Sequence, residues 1–469
     1  MRRNAVAMAA LALFALPLSA SRAAAQGFGV YEHDACSMGR AGTGVAAPCN
    51  ASAIFFKPAG IVAPANSSTK WNLAVGATSI GADFAFQDSV ANSTTNSTGG
   101  SVLVPNAHIT MQYNSKWAFG VGLFAPYGLV SEWPTTGFSG RFLGYRSELK
   151  SVYVQPTAAW HVKPWLRLGA GWDFIHSSVD LQQRVDLAGQ QANALATFGQ
   201  LGIPAGTDFA DGHLKGSSNS GTFHLGVLLT PTENVSIGIR YLGRSTADIQ
   251  GNGQFTQVMT GIQLAAGNPI AAGQPVICPP AAGACALDSI LAPQFRGSGA
   301  LIGQHVSTRV ALPDQMVIGV AVKFTQKLNA QFDFQWVNWS AFQTLGIQFE
   351  KLPQRTLYED YHDTHGVRFG LEYDLTPKFT VRGGLLYHEA AAPDQTVTPL
   401  LPEAERAEQT LGASFRISTH GRIDVAYQHI NQADRRGRSV DAPRFSTANN
   451  NGLYTGSANL FGASLAWGF

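Results

Sequence analysis

Residues 328–336 read Leu328-Asn329-Ala330-Gln331-Phe332-Asp333-Phe334-Gln335-Trp336, and their alternation decides the fold. Every even position is apolar and every odd position is polar. Successive side chains of a β-strand leave opposite faces of the sheet, so this stretch has one oily face and one wet one. The pattern recurs along the chain. Val235, Ile237, Ile239 and Tyr241 alternate with Ser236, Gly238 and Arg240. Val367, Phe369, Leu371 and Tyr373 alternate with Arg368, Gly370 and Glu372, and Ile423, Val425 and Tyr427 follow the same rule.

Such segments number about fourteen, each near the ~10-residue length of a membrane-spanning strand. They fall near 69–80, 103–113, 116–129, 149–161, 165–182, 220–230, 233–247, 305–325, 327–338, 364–375, 378–389, 406–417, 420–430 and 458–469. Short turns such as Asn114-Ser115 and Thr376-Pro377 alternate with long stretches at 81–102, 130–148, 183–219, 248–304, 339–363, 390–405 and 431–457. That is the pattern of periplasmic turns and extracellular loops in an antiparallel transmembrane β-barrel, and an even strand number puts both termini on the periplasmic side. Trp117, Trp160, Trp165 and Trp336 sit near strand ends, where an aromatic girdle belongs. A soluble β-sandwich would need a second sheet over every oily face and does not predict the alternation of loop lengths.

Composition agrees with a barrel. Hydrophobic residues make up 45% and charged residues 13%, about half the charged share of an ordinary soluble domain. Arg2 and Arg3, the apolar run from Ala5 to Leu16 closed by Pro17, and the small residues Ala23-Ala24-Ala25 read as a secretory signal over residues 1–25. No later segment has the ~20 apolar residues of a spanning helix. In an exported chain, the pairs Cys36/Cys49 and Cys278/Cys285 favour two local disulfides over a metal site, since neither has zinc-type spacing.

No nucleophile motif, zinc motif or phosphate loop is present, so no catalytic residues, cofactor or metal are expected. His362 and His365 read as surface residues. The near-neutral net charge of +2 gives no ground for a nucleic-acid partner. Asp434-Arg435-Arg436-Gly437-Arg438 lies in a long loop, solvated or in contact with lipopolysaccharide phosphates.

Residues 26–68 do not alternate. They are small, Gly-rich and locally apolar, which suits a plug inside the lumen better than a polar periplasmic tail. The barrel then occupies 69–469. Within it, Ala125-Pro126-Tyr127-Gly128 should break the ladder, because Pro126 has no amide donor and Gly128 tolerates unusual dihedrals.

On these residues the chain resembles the FadL-type outer-membrane transporters of long-chain fatty acids and aromatic hydrocarbons. The resemblance starts at Ser37-Met38-Gly39-Arg40-Ala41 and Phe56-Lys57-Pro58-Ala59-Gly60, where Lys57 replaces the family's Asn. It continues through residues 119–129, Leu312-Pro313-Asp314, Asn338-Trp339-Ser340-Ala341-Phe342, Ala392-Pro393-Asp394 and Leu401-Pro402, and the terminal Phe469 resembles the assembly signal of such barrels. It implies a monomeric barrel of about fourteen strands, closed by an N-terminal hatch and embedded in outer-membrane lipid. It also implies passive uptake of a hydrophobic ligand, foremost a long-chain fatty acid and alternatively an aromatic hydrocarbon. A general diffusion porin fits less well. The strand kink at residues 125–128 then reads as a lateral exit, the alternative being a bulge that only curves the barrel. Arg184 matches the family's carboxylate-binding Arg, and Lys351 and Arg355 lie near a second basic position. The alternative is that all three are ordinary solvated loop charges.

Overall fold

The computed structural model describes residues 27–62, 69–265, 267–274, 276–278, 283–437 and 452–469. The expected signal segment 1–25 lies outside the described residues, as do Gln26, residues 63–68 and Arg438.

The barrel strands run β1 Trp71–Asp88, β2 Val102–Gln112, β3 Trp117–Glu132, β4 Arg146–Lys163, β5 Leu166–Asp186 and β6 Asp208–Thr232. The next four are each interrupted once: β7 (Val235–Leu242, Ser245–Gln257), β8 (Gln304–Leu312, Gln315–Lys323), β9 (Leu328–Val337, Thr344–Phe349) and β10 (Arg355–Tyr358, Thr364–Thr376). The ring is completed by β11 Phe379–His388, β12 Arg406–Arg416, β13 Gly421–Gly437 and β14 Gly452–Gly468. Each strand pairs antiparallel with the next. β1 pairs with β14 from Asn72↔Gly468 to Asp88↔Gly452, which closes a ring of 14 strands.

The buried face is the reverse of that in a soluble sheet. In β9, Gln331, Asp333 and Gln335 are at most 2% exposed, while Phe332 and Phe334 are 38% and 37% exposed. An oily outer face and a polar inner face describe a sheet whose solvent is lipid. Trp117 and Trp160 stack at 5.5 Å beside the short turns, and Trp165, close to Trp160 in sequence, is 47% exposed.

Residues 27–62 pack against the polar inner face. This segment holds two single-turn helices, α1 (Ala35–Met38) and α2 (Ala53–Phe56), and a 3-10 turn at Pro58–Ile61. Its residues contact inward-facing positions around the ring. Asp333 of β9 accepts the amides of Gly44 and Val45 at 3.1 and 3.3 Å. Thr410 of β12 accepts that of Ala41 at 2.9 Å, and Ser464 of β14 donates to Asp34 at 3.0 Å. Arg368 and Arg240 lie over the Tyr31 ring at 3.7 and 4.9 Å. Glycines let the backbones approach: a Cβ built on Gly412 would fall 2.7 Å from the Cα of Gly39. Cys36 is bonded to Cys49 and Cys278 to Cys285.

Two expectations about the wall need correction. The stretch 339–363 is not an open loop, because Thr344–Phe349 and Arg355–Tyr358 pair as a hairpin continuing β9 and β10. Several strands also run past their expected outer ends, β6 by beginning at Asp208 rather than 220.

Candidate functional site

At the kink of β3 the register with β4 slips: Phe124 opposes Tyr153, but Tyr127 already opposes Ser151. One extra residue is therefore inserted into β3 at Ala125-Pro126, as in a β-bulge. Gly128 is not among the described residues with positive φ, so the break comes from Pro126 and the inserted residue rather than from a left-handed glycine.

The consequence appears on the other edge of β3. Its ladder with β2 covers only Ala107↔Leu123 to Gln112↔Ala118. Residues 102–106 of β2 still pair with β1 but not with β3. Pro105 lies in this unpaired stretch and, like Pro126, has no amide to donate. Above the gap, Thr98 donates to the carbonyl of Glu132 at 2.8 Å. The β3 edge is thus unpaired with β2 between Leu123 and Glu132.

The N-terminal segment docks onto the kink from inside. Val30 donates to Pro126 at 2.9 Å, and Gly128 donates to Phe28 at 3.0 Å. Phe28 packs edge-on against Tyr127, Trp339 and Phe342, with ring centroids 6.0, 4.7 and 5.7 Å away. The Tyr127 hydroxyl donates to the Pro313 carbonyl at 2.5 Å. Glu403, buried in the loop before β12, accepts from Gly27 at 2.9 Å and from Ala391 and Ala392 at 2.9 and 3.0 Å. Burial pushes its carboxyl pKa up, and the three amides pull it back. The landmark segments around residues 126, 313, 339, 392 and 402 thus converge on Phe28 and its neighbours.

Behind the gap lies a cavity of about 270 Å³. Its walls are mostly apolar, with Phe28, Phe84, Val104, Leu129, Leu149 and Leu460 among them. It also reaches Leu103 and Val152, which are 66% and 38% exposed on the outer face. The cavity is therefore lined by residues of both faces of the wall.

The residues singled out in the sequence are placed as follows. Ala125, Tyr127 and Gly128 line the cavity. Arg40 donates to the carbonyls of Thr43 and Ala47 at 3.2 and 2.6 Å and ion-pairs with Glu372 at 3.6 Å. Ala41 has a φ of 61°, a left-handed conformation costing roughly 1–2 kcal/mol. Lys57 donates to the Ala46 carbonyl at 3.1 Å, so it braces the segment from within. Burial, then Arg167, pushes its pKa well below the ordinary lysine value. A Cβ on Gly169 of β5 would fall 2.3 Å from Pro58 C and Ala59 N, which places that motif hard against the wall.

Arg184, Lys351 and Arg355 do not line the cavity. Arg184 pairs with Asp211 at 3.1 Å, Arg355 bonds the Gln183 side chain, and the Lys351 amide donates to Gln304 at 2.8 Å. Arg435 is held by Asp394 and the Ala392 carbonyl, both at 2.7 Å, and so ties the loop before β12 to β13. His365 pairs with Glu389 at 2.9 Å. The one cluster of metal-ligating residue types among the described residues contains Cys36 and Cys49, whose sulfurs are spent on each other. Sequence reading missed Pro105 and Arg406, a further lining residue. A proline inside an alternating strand was a legible sign for the first.

Residues 16–469 match the family model described as outer membrane protein transport protein (OMPP1/FadL/TodX). The chain is 25% identical over 373 residues to the 47 kDa outer membrane protein of Pasteurella multocida, covering 78% of this chain and 77% of that one. It is 21% identical over 388 residues to the long-chain fatty acid transport protein of Escherichia coli, covering 78% and 77%. Among solved structures, a Pseudomonas aeruginosa FadL homologue superposes with a TM-score of 0.77 at 21% identity, covering 94% of this chain and 99% of that one. The Ralstonia pickettii toluene transporter TbuX superposes with a TM-score of 0.63 at 19% identity, covering 92% and 97%. With a closed barrel and a family match over almost its whole length, the chain belongs to the OMPP1/FadL/TodX family of outer-membrane transport proteins.

Proposed function

We propose that the chain takes up long-chain fatty acids by passive, ligand-gated diffusion and releases them sideways into the outer membrane through the gap between β2 and β3. The observation that supports this is the apolar cavity that passes from the N-terminal segment to Leu103 and Val152 on the lipid-facing side. A long acyl chain gains roughly 0.8 kcal/mol for each buried CH₂, so an apolar conduit supplies its own driving force for entry. The segment at residues 27–30 bonds to the β3 edge at the kink, so cargo arriving there loosens that contact and widens the gap. The short-turn side, with both termini, is taken as periplasmic, and one chain as the working unit. Arg184, Lys351 and Arg355 are retained as an outer point of contact for the carboxylate.

A strain lacking its own uptake systems tests this reading. Expression of the chain is expected to restore growth on oleate, and the purified protein to leave sugars excluded in liposome swelling. Growth on toluene but not on oleate would move the assignment to an aromatic hydrocarbon, and rapid swelling with sugars would make it a general porin.

A further inference from the structure

The geometry points to Arg406 as the residue that holds the carboxylate of the cargo inside the cavity, an inference that rests on reading the cavity as the conduit. Five charged residues line that cavity: Glu32, Glu132, Lys150, Arg406 and Glu408. Four are engaged. Lys150 pairs with Glu148, and Glu132 pairs with Arg146 at 3.1 Å. The Gln428 side-chain amide donates to Glu32 at 3.1 Å and also to Glu408.

Arg406 is different. Its Nε is buried without a hydrogen-bond partner, and among the described residues no carboxylate lies within ion-pairing distance of its guanidinium. Glu408, two positions on along β12 and so on the same face, is bound to Gln428 instead. A guanidinium with no bonded carboxylate beside an apolar cavity is costly, and an anion brought by the ligand supplies the missing partner. Its planar fork matches a carboxylate.

The position suits an amphiphile. Arg406 opens β12 directly after the loop that carries Glu403, at the end of the barrel opposite the short turns. Leu401, Ile430 and Leu460 line the same cavity and offer apolar surface to a chain running from that head toward the gap. Arg406 therefore selects an anionic long-chain lipid over a neutral hydrocarbon of the same bulk.

Equilibrium binding of radiolabelled oleate and oleyl alcohol to detergent-solubilised protein tests this, with folding verified by heat-modifiable migration. Arg406→Gln is expected to weaken oleate about ten- to a hundredfold, to leave oleyl alcohol unchanged, and Arg406→Lys to recover most of the loss. In the wild type, methyl oleate should bind about ten- to a hundredfold more weakly than oleate, an arm that needs no variant to fold. Unchanged oleate affinity in Arg406→Gln, equal weakening of both lipids, or equal affinity for oleate and its methyl ester would overturn the assignment while leaving the conduit intact. A wild type that binds neither oleate nor oleyl alcohol would defeat the conduit reading, and the assignment with it.

Discussion

Gly238 of β7 sits where the Val45 carbonyl presses on the wall, and a Cβ built there would fall 1.8 Å from that oxygen. Gly238→Ala is therefore expected to push the N-terminal segment off the wall at a cost of ~1–3 kcal/mol, read as raised small-ion conductance of a folded barrel in planar bilayers. Unchanged conductance would mean that the segment does not fill the lumen tightly. His33 adds a pH dependence. Its ring is fully buried, 4.3 Å from the Phe55 ring, and faces His108 and Arg240. Burial first, then these two groups, pushes its pKa from 6.5 down to about 3. Between those values a released segment takes up a proton that the docked one refuses, so docking is fully stable above the released value and weakens as pH falls. The slope is ~1.4 kcal/mol per pH unit for one group. Leak conductance should rise from about pH 7 to about pH 4.5, and less so in His33→Phe; an identical rise in that variant would contradict the assignment. At this scale the sequence was least legible. Arg184 and Arg406 look alike as letters, and only the β5–β6 register, which sets Arg184 opposite Asp211, shows that one is neutralised. Nothing local marks the other as lacking a partner.

The strands were legible wherever lipid demands an apolar side chain at every second position, as in residues 328–336. Beyond the hydrocarbon that demand lapses. Residues 208–219 of β6 carry Asp211, His213, Lys215 and a run of small polar residues, so its outer extension left no alternation to read. The interruptions of β8 and β9 did leave marks, Pro313-Asp314 and Asn338-Trp339, but those marks named a family resemblance before they named a shape. The N-terminal segment was legible from small residues and absent alternation, though its path was not, because each contact is made to a strand distant in sequence. The disulfide closing the 13-residue separation between Cys36 and Cys49 staples that segment, and such a loop is worth ~2–4 kcal/mol. Replacing both cysteines by serine should lower the protection of residues 35–50 against amide exchange and leave that of β1 and β14 unchanged. Equal loss in the strands would show that the bond stabilises the barrel as a whole.

For the whole molecule, a packed inner face and an unpaired strand edge belong together. Residues 27–62 are packed against the inner face of the ring, and the proposed path leads instead through the discontinuity between β2 and β3. Closing that route separates lateral release from passage down the barrel axis. Cysteines placed at Val104 and Leu129, one on each edge of the gap, can be bridged with a short bifunctional maleimide, and uptake of radiolabelled oleate measured before and after bridging. A folded barrel whose oleate uptake falls to the level of cells without the protein is the expected result, and normal uptake through the bridged wall would contradict it.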